Sequence, residues 1–296
     1  MKSLVVLLLS LSTCLGNEWL PLWPGEAPGA ARPPTGTETV KEGERVGRVE
    51  QPQYLLYQAP EEKRNGQGMV IFPGGGYTIV SMENEGHDFA KWLNERGITA
   101  MVVKYRVSDD PKAGYGFPVP FLDARRAIRT MRANADEWGI DPKKIGVMGS
   151  SAGGHLASLC ATRFADTFEE EGKDAIDKAD CRPDFAVLVY PVITMTGTGH
   201  SGSRLRLIGE NPSAEMVEKM STEMQVSEKT PPCFLLTTAD DFVDCRNGLD
   251  FAAACKEHKV PVALHLFEKG GHGYGLNGKG TVAVWPELLE AWLVGR

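Results

Sequence analysis

Ile145-Gly146-Val147-Met148-Gly149-Ser150-Ser151-Ala152-Gly153 is the stretch on which the reading of this sequence turns. An apolar strand runs into a turn bounded by two glycines, and an apolar segment, Ser151 to Thr162, continues as a helix. The turn matches G-x-S-x-G with Ser151 at its centre, and strand-turn-helix is the setting in which that pattern holds a nucleophile. Neighbours without side chains allow the backbone to bend sharply and keep the hydroxyl exposed. The start of the following helix favours negative charge developing beside it. A Ser/Gly-rich turn without chemistry is the plainer alternative.

Working outward, Tyr54–Tyr57, Met69–Phe72, Ile98–Val103, Phe185–Val189, Cys233–Leu236 and 262–267 read as further strands. Residues 86–96, 120–138, 247–258 and 281–293 read as helices between them. Strands apolar on both faces, alternating with helices, predict an α/β fold with a mostly parallel sheet covered on both sides. The expected organisation is a signal peptide over 1–16, an extended Pro/Gly-rich segment over 17–50 and one domain over 51–296. Residues 192–230, rich in Gly, Ser, Thr and Met, interrupt the alternation just after a strand end, where such folds keep their ligand sites.

A serine hydroxyl is a weak nucleophile and needs a base. Of six histidines, His87, His155, His258 and His265 lie in predicted helices or strands and read as structural. His200 falls in the interrupting stretch and is a candidate pocket residue, as is Tyr77. His272 sits in Gly270-Gly271-His272-Gly273, just past the strand 262–267, where a loop can carry it to a nucleophile on another strand. The base in turn needs an orienting carboxylate. Phe234-Leu235-Leu236 leads through Thr237-Thr238-Ala239 to Asp240-Asp241, giving the chain order Ser, Asp, His. Successive side chains leaving a strand point to opposite sides, so only one of the two meets the imidazole. Asp240, the first off the strand and with Val243 three residues on, is the choice; Asp241 reads as a solvated turn residue. Phe72-Pro73-Gly74-Gly75-Gly76-Tyr77 is a strand followed by a glycine run. The N–H groups of Gly75 and Gly76, with that of Ala152, are the candidate oxyanion donors.

Composition narrows the partners. Hydrophobic residues at 42% supply a sizeable core and argue against global disorder. A formal charge of -7 without a basic cluster argues against nucleic acid and anionic membrane surfaces. Lys2, the apolar run Leu4–Leu11 and Gly16 fit a signal peptide cleaved after Gly16, hence a secreted or periplasmic chain. A lipoprotein anchored at Cys14 is the poorer variant, and no stretch approaches the ~20 apolar residues of a membrane span. Five cysteines would remain, an odd number that excludes complete pairing; one bridge is possible and the sequence does not choose it. No metal-ligand spacing is present and no cofactor is expected. Gly273, Gly275 and Gly278 match G-x-G-x-x-G, but no strand with an acidic end follows at the distance a dinucleotide site requires.

The same motifs, with Glu85-Gly86, Gly154-His155-Leu156-Ala157, Arg182-Pro183-Asp184-Phe185, Tyr190-Pro191 and Thr238-Ala239-Asp240-Asp241, resemble the bacterial acetyl xylan esterase and feruloyl esterase-like α/β hydrolases. The resemblance runs from about Leu22 to Trp292. It implies the α/β-hydrolase fold, the triad Ser151, Asp240 and His272, and deacylation of an esterified plant polysaccharide such as acetylated xylan. A general carboxylesterase or lipase and a prolyl-oligopeptidase-like peptidase are the alternatives. The latter usually carries a propeller domain for which 296 residues leave no room. One departure stands out: after Asp241 the family usually has a small, Pro-containing stretch, and here it is Phe242-Val243-Asp244-Cys245.

Overall fold

The computed structural model describes residues 18–29, 37–110, 113–171 and 173–296. The expected signal peptide, Cys14 included, lies outside the described residues.

The core is an eight-stranded sheet. Its parallel part is β5 (Gly68–Phe72), β7 (Thr99–Lys104), β8 (Ile145–Ser150), β9 (Phe185–Val189), β10 (Cys233–Thr238) and β11 (Val262–Phe267). Along it the strands lie in the order β7-β5-β8-β9-β10-β11. β4 (Gln53–Tyr57) and β1 (Leu20–Pro21) extend it antiparallel beyond β7. Every residue of β5, β7, β8, β9 and β10 is buried, as a parallel sheet covered on both faces demands. β11 is the edge and is only half-buried.

The flanking helices are α1 (Asp88–Glu95), α2 (Val119–Ala133), α3 (Ser151–Thr162), α4 (Ser201–Ile208), α5 (Ala214–Met220), α6 (Arg246–Glu257) and α7 (Trp285–Leu293). The stretch 192–230 is therefore not a plain loop, for it holds α4, α5 and a 3-10 turn, Thr222–Gln225. Two predicted helices begin differently. A π-helical turn, Glu83–His87, precedes α1, and a 3-10 turn, Gly280–Val284, precedes α7, whose second residue is Pro286. Proline lacks the N–H that a helix start leaves unpaired, so it fixes where α7 begins.

The N-terminal segment is not a free strap. β2 (Thr39–Lys41), β3 (Arg45–Gly47) and β6 (Ile79–Ser81) form a second, antiparallel sheet beside the loop that follows β5. Further back, Trp23 Nε1 donates to Asp123 Oδ1 at 3.0 Å, and Arg106 bonds both oxygens of Asp123 and the Pro28 carbonyl. The Arg106 and Asp123 side chains are both 0% exposed. Cys160, Cys181, Cys233, Cys245 and Cys255 are all free thiols.

Candidate active site

Because β5, β8, β9, β10 and β11 are parallel, their carboxyl ends share one edge, and the candidate residues leave from that edge. Ser150 pairs with Val189 in the ladder, and Ser151 is the next residue. Ser151 has φ 53, a left-handed conformation that an L-residue adopts only under constraint. Close packing supplies the constraint. A Cβ on Gly149 would meet the Gly153 carbonyl oxygen at 2.1 Å, and a Cβ on Gly153 would meet the Phe72 oxygen at 2.0 Å. The two glycines of the motif are therefore fixed by backbone contact with the turn itself and with β5.

His272 Nε2 lies 2.8 Å from Ser151 Oγ, and His272 Nδ1 lies 2.7 Å from Asp241 Oδ2. With Nδ1–H donating to the carboxylate, Nε2 is free to accept the serine proton. The expected acid, Asp240, is thus corrected to its neighbour. The reason is the length of β10. The strand runs to Thr238 rather than Leu236, and Ala239 N still donates to the Phe267 carbonyl at 2.8 Å, so the chain leaves the sheet later than expected. Asp240 then faces solvent and accepts the Gly270 and Gly271 N–H groups at 2.9 and 2.8 Å. Asp241 turns inward with its side chain 0% exposed. Its Oδ1 takes the Val243 N–H at 2.8 Å, which leaves Oδ2 aimed at the imidazole.

Gly75 and Gly76 line the same cleft as Ser151 and His272. Gly75 has φ 138, where a Cβ would collide with the Ile79 carbonyl oxygen at 2.1 Å. Two carbonyls of the loop are spent on the turn: the Gly75 oxygen accepts Thr78 N and Ile79 N, and the Gly74 oxygen accepts Ser81 N. Ala152 is in the first turn of α3, where N–H groups have no partner within the helix. Gly75 and Gly76 thus share the cleft of Ser151, and Ala152 follows it in the chain.

Tyr77 is not a pocket residue. It is buried beneath the glycine loop, and its hydroxyl donates to His155 Nδ1 at 2.7 Å. His155 Nε2–H in turn donates to the Met220 carbonyl at 2.7 Å. The pair ties the loop to α3 and to the end of α5, and burial lowers the His155 pKa to about 4. His200 does line the cleft. It caps α4, Nδ1 accepting the Ser203 N–H, and burial holds its pKa below the ordinary value.

Two residues quoted only as part of a motif prove central. Glu85, buried, accepts the Gly74 N–H on Oε2 and the Tyr190 hydroxyl on Oε1, both at 2.8 Å. The Tyr190 oxygen accepts the Gly275 N–H at 3.1 Å, and the Tyr190 ring centre lies 4.9 Å from that of His272. Beside it, Asn84 Nδ2 donates to the Gly273 carbonyl at 2.9 Å. The π-helical turn thereby clamps the glycine loop and the histidine loop together. Burial raises the Glu85 pKa, while its two hydrogen bonds oppose that shift. Glu85 stands between two apolar stretches, and only the fold reveals that its carboxylate turns inward.

Comparison with known proteins points the same way. Residues 55–254 match the BD-FAE family. Endo-1,4-beta-xylanase B of Butyrivibrio fibrisolvens is 37% identical over 77% of the chain and 34% of its own length. The acetylxylan esterase of Xylanibacter ruminicola is 31% identical over 72% of the chain and 42% of its own. The chain thus spans less than half the length of either of these relatives. The crystal structure of an acetyl ester-xyloside bifunctional hydrolase from Caldicellulosiruptor lactoaceticus superposes with a TM-score of 0.81 at 40% identity, covering 94% of this chain and 95% of that one. With an α/β-hydrolase sheet beneath its serine turn and a match that takes in Ser151, Glu85 and Asp241, this chain belongs to the BD-FAE family.

Proposed function

We propose that the chain is a serine esterase that removes short acyl groups, acetyl above all, from a plant polysaccharide such as xylan. The observation that carries the reading is the unbroken hydrogen-bond chain Ser151–His272–Asp241 at 2.8 and 2.7 Å. The names of the xylan-directed relatives support the substrate.

The steps follow from the geometry. His272 Nε2 takes the Ser151 proton as Oγ attacks the ester carbonyl, and Asp241 stabilises the imidazolium that forms. The N–H groups of Gly75, Gly76 and Ala152 receive the developing oxyanion, the largest electrostatic contribution in such sites. His272 then hands its proton to the departing sugar oxygen, leaving acyl-Ser151. Water, deprotonated by the same imidazole, releases the acid.

The apolar run Leu4–Leu11 supports export from the cytoplasm, which polymer substrates require. The test is hydrolysis of acetylated xylo-oligosaccharides beside simple esters of two to twelve acyl carbons. Release of acetate, with rates falling beyond about four carbons, is the expected result. Preference for esters of eight or more carbons would make the protein a lipase.

A further inference from the structure

Phe242 directly follows Asp241, the acid of the triad, and it is 71% exposed. An aromatic ring left in water beside a reactive centre forgoes burial that a ligand can supply. Its ring centre lies 4.5 Å from that of His272 and 5.7 Å from that of His200. It lines the same cleft, of about 580 Å³, together with Leu205, Arg206 and Arg45. Leu205 is also one of the few exposed large apolar residues among those described.

From these positions we infer that Phe242 is a specificity-determining platform on which the sugar ring of the leaving group stacks. The inference rests on the esterase reading above and adds where the carbohydrate lies. To depart, the sugar oxygen must come within hydrogen-bond reach of His272 Nε2. The pyranose that bears this oxygen is then next to the imidazole; of the two aromatic rings beside it, Tyr190 is buried and Phe242 is the one open to the cleft. A pyranose presents an apolar C–H face and a polar rim of hydroxyls. The face suits the phenyl ring and Leu205. The rim suits donors, and Arg45 and Arg206 stand on the cleft wall, Arg45 within the field of Glu85 and Arg206 within that of Asp109 but neither in a salt bridge among the described residues. Other arginines of the chain, such as Arg106, Arg125 and Arg126, are each held by an acid.

The experiment compares wild type, Phe242→Ala and Phe242→Trp on three acetyl esters: monoacetylated xylotriose, ethyl acetate and nitrophenyl acetate. Ethyl acetate has a leaving group without a ring and tests the esterase reading by itself. The platform predicts that Phe242→Ala lowers kcat/KM on the xylotriose ester about tenfold relative to ethyl acetate, mainly through KM, and that Phe242→Trp restores it. Because the side chain is exposed, the fold is expected to survive, which circular dichroism checks. An unchanged ratio in Phe242→Ala overturns the platform while leaving the esterase standing. So does a loss confined to nitrophenyl acetate, which would make the ring a seat for aromatic alcohols. Absence of ethyl acetate hydrolysis in wild type would overturn the underlying reading and the platform with it.

Discussion

At the end of β10, two adjacent carboxylates accept from different donors: Asp241 from the His272 ring, Asp240 from the backbone of the loop that carries it. Asp241→Asn should offer the ring an amide that favours the wrong tautomer, a defect on the order of 10^4 in kcat. Asp240→Asn keeps an acceptor for Gly270 and Gly271 and should cost about tenfold or less, since it only steadies the loop. Kinetics of both variants on one acetyl ester near neutral pH decide, and the reverse ranking would restore Asp240 as the orienting acid. Glu85 holds the glycine loop through Gly74. Glu85→Ala would strand the buried Gly74 N–H and Tyr190 hydroxyl, each loss being about 1–3 kcal/mol. The loosened oxyanion loop should lower kcat by up to about a hundredfold. Glu85→Gln can accept from Gly74 and donate to Tyr190, so it should recover most of both losses. An alanine variant as fast as wild type would mean that the clamp has no part in the chemistry.

The element α3 shows how a helix can be legible and its neighbourhood not. Its bounds, Ser151–Thr162, coincide with the expected ones because the glycine turn and the apolar run mark both ends. β9 and β11 were equally plain, being apolar runs closed by turn residues. The small sheet of β2, β3 and β6 was not, because each strand has three residues and β2 is wholly exposed, leaving no alternation to read. α4 and α5 are eight and seven residues long, capped by His200 and Ser213, and too short for a clear period. Asp241 was missed because strand ends fray by a residue or two in any sequence reading, and one residue reverses the side. The role of Glu85 was invisible because a π-helical turn has no sequence period of its own.

His155, a buried residue of α3, makes the stability of the fold depend on pH. Its folded pKa of about 4 lies below the free value of 6.5, so the unfolded chain binds the proton more readily. Stability from this group is therefore full above about 6.5 and is lost as pH falls toward 4, by on the order of 3 kcal/mol. Urea midpoints over that window should fall more steeply for wild type than for His155→Gln, which cannot take the proton. Parallel curves would show that His155 is charged, or solvated, in the fold.

Across the whole molecule, arginines on α2 and its approach hold distant segments to the sheet. Arg125 and Arg129 bind Glu171, Arg126 binds Asp174 and Asp177, and Arg106 with Asp123 holds Trp23 and Pro28. Asp123→Ala would leave the fully buried Arg106 guanidinium unpaired, at a cost of about 3–5 kcal/mol. Denaturant unfolding measures this, and a change under about 1 kcal/mol would mean that the N-terminal segment docks without the pair. None of these pairs touches the cleft, and the sequence could not announce them, since partners such as Trp23 and Asp123 are a hundred residues apart.

In the proposed reaction Ser151, activated by His272, is the nucleophile. The most direct test is to treat the folded protein with a fluorophosphonate, follow acetyl-ester hydrolysis, and map the labelled peptide by mass spectrometry. One label per chain, on Ser151, with activity lost in proportion, is the predicted result. Full activity in the labelled protein, or inactivation with the label on another residue while Ser151 stays free, would contradict it.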